Sequence, residues 1–130
     1  MKFKLNPFKS VELFHSSMTR DESRQHAING YEEFFKTKFS SVATDNFKDM
    51  DLHIYYSPDL IIKGIELFHP NQLTYKEIEL LGAPKDKIEN DLKLHAINYS
   101  VEHEDIEIPD IGLSLSCSEN QIVSAYISLI

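Results

Sequence analysis

Period-two alternation is clearest between Leu52 and Phe68. Leu52, Ile54 and Tyr56 alternate with His53 and Tyr55, the run SPD turns the chain, and Ile61, Ile65 and Leu67 resume the period. Successive side chains of a strand point to opposite faces, so the stretch predicts a β-hairpin with one buried face. Lys63 falls on the inner parity beside Gly64, which requires either a bulge at Gly64 or an edge position. The pattern returns at residues 113–130. Leu113, Leu115 and Cys117 alternate with serines, SEN makes the turn, and Val123, Ala125, Ile127 and Leu129 alternate with Ile122, Ser124, Tyr126 and Ser128. Overlaying the two stretches gives an offset of 61 residues for the first strands and 62 for the second, which implies a turn one residue longer in the second copy.

A three-to-four-residue period precedes each hairpin. Thr19 and Glu22 fit a capping box, and Ala27/Ile28, Tyr31, Phe34/Phe35 and Phe39 recur at helical spacing, predicting a helix over Thr19–Phe39 with Gly30 as its weak point. Thr74 to Glu77 reads as the cap of a short helical turn ending at Gly82. Pro84 then suits the first position of a second helix with Ile88, Leu92 and His95 inward. The expected fold is α+β: an antiparallel sheet with two main helices on one face, built by tandem duplication of a helix–β-hairpin unit. The two units span about residues 18–69 and 82–130 of one domain, 1–130.

Composition changes this picture little, but charge does. The chain has 130 residues, one cysteine, no apolar run long enough to span a bilayer and no secretory leader, so a cytoplasmic protein without disulfides is expected. Of its net charge of −8, residues 1–93 carry −2, with 13 basic against 15 acidic residues. Residues 94–130 carry −6, with no lysine or arginine. That sign disfavours direct nucleic-acid binding and suits a basic protein partner. Two acidic connections, ATDNFKDMD and VEHEDIEIPD, enter the two hairpins at equivalent places and are expected to lie together at one end of the sheet. Their Asp45, Asp49, Asp51, Glu102, Glu104, Asp105, Glu107 and Asp110, with Tyr55 on the open sheet face, are the candidate partner-binding residues. The bland alternative is a solvated acidic surface.

Catalytic chemistry finds no frame. The four glycines make no phosphate-binding loop, the six histidines include no HxH or HExxH, and a single cysteine cannot build a thiolate zinc site. His103 in VEHEDIE reads as an exposed histidine among acids rather than a metal ligand. Asp59 reads as a turn residue, and Asp91 and Lys93 sit two apart on a predicted helix, facing different directions. Cys117 reads as a buried small hydrophobe. No enzyme, catalytic residue, metal or cofactor is expected.

The segments MTRDES, HIYYSPDLIIKGIELF, LLG and GLSLS, spread over residues 18–130, resemble small acidic immunity proteins coded beside bacterial polymorphic and contact-dependent growth inhibition toxins. The helix–hairpin layout is also similar to beta-lactamase inhibitor protein and small outer-membrane assembly lipoproteins, though no lipidated cysteine or leader is present. The resemblance implies a cytosolic, non-enzymatic inhibitor, monomeric or weakly dimeric. Such a protein would bind the C-terminal domain of a cognate toxin, often a basic nuclease, and block its active site. The competing expectation is a structural or adaptor domain with no toxin partner.

Overall fold

The computed structural model describes residues 1–130. It begins with three strands that the hydrophobic pattern does not mark. In β1 (Lys2–Asn6) Phe3 and Leu5 point inward between exposed lysines, and β2 (Ser10–Val11) and β3 (Phe14–His15) follow as short antiparallel partners. Helix α1 covers only Arg20–Arg24. Its capping box is present, with Glu22 N–H donating to Thr19 Oγ1 and Thr19 N–H to Glu22 Oε1, both at 3.1 Å. The long helix expected through Phe39 does not form. Gly30 takes φ +84°, a left-handed conformation that stops a helix, and Glu32–Phe34 becomes a strand, β4. Most of the expected inner stripe is outside, with Ile28, Phe35 and Phe39 62%, 60% and 85% exposed, while Ala27 packs against the core and Phe34 is half-buried.

Strand β5 (Thr44–Phe47) leads through a 3-10 turn, Lys48–Met50, into the predicted hairpin of β6 (Leu52–Tyr56) and β7 (Ile62–Phe68). The segment expected to hold a capped helical turn is instead a third hairpin, β8 (Gln72–Tyr75) and β9 (Ile78–Glu79). Its two-residue turn puts Lys76 and Glu77 at positive φ, as tight hairpins demand even without glycine. Helix α2 (Lys85–Leu94) buries Ile88 and Leu92; Pro84 is its extended N-cap, and His95, expected inward, is an exposed C-cap. β10 (Ser100–Glu102), β11 (Asp105–Ile108), a 3-10 turn at Pro109–Ile111, β12 (Leu113–Ser118) and β13 (Gln121–Ser128) complete the chain.

The α+β expectation is therefore corrected. Strands make two sheets, one of five in the order β3-β2-β1-β8-β9 and one of eight in the order β10-β11-β12-β13-β7-β6-β5-β4. Only α2 exceeds seven residues, so no pair of main helices covers a face. Pairing registers put Ile106, Leu115, Ala125, Leu67, Leu52 and Phe47 on one face of the large sheet. With the apolar residues of the small sheet and α2, they form one core of 28 buried residues. The other face carries a polar row, Glu107, Ser114, Tyr126, Glu66, His53, Asn46 and Glu32, as an antiparallel sheet with one wet face should.

The two halves of the large sheet correspond strand for strand. β7 and β13 pair antiparallel at the centre. Matching backbone bonds run from Arg20 N–H to Leu60 O and from Lys85 N–H to Asn120 O, and from Phe68 N–H to Asp51 O and from Ser128 N–H to Gly112 O. Both hairpins break register at one place, leaving Lys63 and Val123 as bulge residues. The bulge is thus at Lys63 rather than Gly64, in a central strand, and Val123 turns outward with Ile122 inward. The second strands are offset by 60 residues, because the second turn is one residue shorter rather than longer. Residues 62–68 and 122–128 consequently show the same order of buried and exposed positions.

Candidate functional site

The acidic residues do not converge. β5 and β11 lie second from opposite edges of the large sheet, five strand intervals apart. At the usual spacing that is about 24 Å. The 3-10 turns carrying Asp49 and Asp110 precede β6 and β12, which run in opposite directions, so they sit at opposite ends as well. The expected common acidic surface is not formed, because the central pairing of β7 with β13 separates the two connections diagonally.

Each residue has its own environment. Asp45 is fully buried on the core face of β5, accepting from Arg24 Nε at 2.8 Å, Arg24 Nη2 at 2.9 Å and the Tyr56 hydroxyl at 2.7 Å. Its carboxylate raises the Arg24 pKa, and burial followed by the hydrogen bond to Asp45 raises that of Tyr56. Asp49 accepts from Asn29, and Asp51 is exposed at positive φ. On the far flank, Asp105 Oδ1 accepts from Cys117 N–H at 3.1 Å and Glu107 accepts from the Ser114 hydroxyl. Glu102, Glu104 and Asp110 are exposed. The turn holding Glu104 and the β12–β13 turn holding Glu119 share one end of the sheet, since consecutive antiparallel strands put alternate turns together.

Tyr55 belongs to a different constellation, which sequence reasoning touched only at that residue. The β4–β5 connection, residues 35–43, is nine residues long, whereas its counterpart between β10 and β11 has two. The longer loop stands over the outer sheet face and borders a half-open pocket of about 650 Å³, lined by Lys36, Phe39, Val42, Tyr55, Lys63 and Tyr126 among others. Tyr55 donates to Glu66 Oε1 at 2.8 Å, and Lys36 Nζ reaches the Tyr55 hydroxyl at 2.9 Å and Glu66 at 3.5 Å. The Tyr55 and Tyr126 rings meet edge to face at 5.5 Å. Tyr126 lies so close over Gly64 that a Cβ there would stand 2.2 Å from its hydroxyl. The Glu66 carboxyl is held down at about 2 by His53 and then Tyr55. At 3.7 Å the His53 contact is longer than a hydrogen bond, so the Tyr55 hydroxyl is the firmer partner. Burial pushes the Tyr55 hydroxyl up to about 12, and the bond to Tyr55 raises Lys36.

Elsewhere Asp59 lies in the β6–β7 turn, and Asp91 pairs with Lys87 on α2 at 2.7 Å. Cys117 packs against the core, its thiol raised by burial. No group of three or more His, Cys, Asp or Glu side chains converges, and no helix is long and apolar enough to cross a membrane. No protein-family model matches the chain, and no curated protein or solved structure matches it either.

Proposed function

We propose that this chain is a cytoplasmic, non-enzymatic immunity protein that neutralises a toxin domain by docking the acidic flank at β10–β11 against a basic surface. The observation that carries the reading is an imbalance of compensation. In the opposite half of the large sheet Glu32, Glu33, Asp45 and Glu66 pair with Lys48, Arg24 or Lys36 while Asp49, Asp51 and Asp59 do not, whereas residues 94–130 contain no lysine or arginine at all. The six carboxylates of residues 94–130 take part in no ion pair. Unpaired surface charge of one sign accelerates association with a partner of the other sign, and does so in a salt-dependent way. Asp45 drops out of the proposed docking set because it is buried, and Asp49 and Asp51 because they lie on the other flank.

The test is binding of the toxin domain encoded by the adjacent gene, measured by stopped flow at low and high salt. Glu102, Glu104 and Glu119 are changed together to glutamine. Asp105 and Glu107 are left alone because they hold internal hydrogen bonds. The association rate is expected to fall roughly tenfold or more in the variant, with a flattened salt dependence. An unchanged rate would move the interface away from this flank. Absence of binding by the unaltered protein would favour an adaptor domain with no toxin partner.

A further inference from the structure

We propose that the pocket under residues 35–43 is a binding site for a singly charged aromatic carboxylate, whose charge is received by Lys63 and whose ring lies against Tyr55 and Tyr126. The proposal is independent of the toxin reading. The fold's internal correspondence shows which features are extra to folding. In the second half the bulge residue is Val123 where the first half has Lys63, and the strand partner is Ser116 where the first half has Tyr55. The loop roof exists only in the first half. All three additions meet at one cavity.

Its chemistry selects the ligand. About 650 Å³ suits a small organic molecule or one or two side chains of a peptide. Phe39, Val42, Pro58 and the Tyr55 and Tyr126 rings supply apolar wall, and Ser40 and Ser41 line it as well. The roof is fixed by its own bonds, with Thr37 N–H donating to Ser40 Oγ at 3.2 Å and Phe39 N–H to Thr37 Oγ1 at 3.2 Å. Lys36, Lys63 and Glu66 are the charged lining residues. Lys36 is committed to Glu66 and Tyr55, so Lys63, exposed and without an ion pair, is the cation left to receive an anion. The net lining charge of +1 matches a carboxylate. A phosphate dianion would face the Glu66 carboxylate with neither an arginine nor a helix N-terminus to hold it.

The experiment is a backbone-amide NMR titration of the full chain with phenylacetate, phenylacetamide, phenyl phosphate and a short peptide ending in a free tyrosine carboxylate. Phenylacetate should shift Lys36, Ser41, Tyr55, Lys63 and Tyr126 together and saturate at about millimolar concentration, the affinity that ten or so heavy atoms allow. Phenylacetamide should bind roughly fivefold more weakly, as should phenylacetate to Lys63→Gln, which is the yield of a partly exposed ion pair. Tighter binding of the peptide than of phenylacetate would identify a chain end as the source, and equal binding a free acid; both support the site. Shifts that do not saturate, equal binding of acid and amide, unchanged binding to a folded Lys63→Gln variant, or tighter binding of phenyl phosphate would each overturn the proposal.

Discussion

Asp45 shows how far a residue's setting departs from its composition. Read as one of a row of acids, it belongs on a surface. Placed on the inner face of β5, it anchors Arg24 and Tyr56 in the core. Asp45→Asn is expected to destabilise the protein by about 3 kcal/mol, because it leaves the largely buried guanidinium without its main partner. Urea denaturation measures this, and an effect below about 1 kcal/mol would be that of a surface pair. Glu66 gives a pH signature. Its folded pKa of about 2 lies below the usual carboxylate value, so its contribution is complete above that value and is lost as pH falls toward 2. The melting temperature of the native protein should drop through this window, and Glu66→Gln should flatten that part of the profile.

At the scale of elements, the hairpins were legible because a half-buried strand writes its period into the sequence. The β4 segment was not. Tyr31, Phe34, Phe35 and Phe39 fit helical spacing, yet antiparallel pairing with β5 draws Glu32–Phe34 into the sheet. Tertiary pairing overrides local periodicity where the helix contains a glycine and gains no partner surface. The bulge was visible only as a parity fault at Lys63, and its counterpart at Val123 was masked because valine suits either face. Gly64 tests the outer-face packing. Gly64→Ala is expected to cost about 1–3 kcal/mol, through displacement of Tyr126. A loss of the tyrosine near-ultraviolet dichroism should accompany it, while far-ultraviolet spectra stay unchanged.

For the whole molecule, the central pairing of β7 with β13 joins the two halves, so residues 123–128 are interior sheet, and Leu129 beyond them is buried in the core. Removing residues 123–130 deletes Ala125, Ile127 and Leu129 from the core, the larger two at roughly 1.5–3 kcal/mol each, and exposes β7 and β12 as new edges. The truncated chain is expected to lose its cooperative thermal transition and to aggregate, as followed by calorimetry and light scattering. A native-like melt would show instead that the first half holds its own core.

By itself the sequence determined most of the residues that turn inward in the two hairpins, though not the shifts to Ile62 and Ile122 at the bulges. It also determined where α1 is capped and which end of the chain carries uncompensated acid. Those properties are local: they depend on neighbours within a few positions and on formal charge. Only the tertiary structure decided that β1 and β8 pair across 70 residues, that two acidic connections of similar sequence position lie on opposite flanks, and that Lys36, Tyr55, Lys63 and Tyr126 share a cavity. Period two reports the face a side chain takes but not the strand it meets, because the backbone hydrogen bonds that choose partners are the same for every sequence.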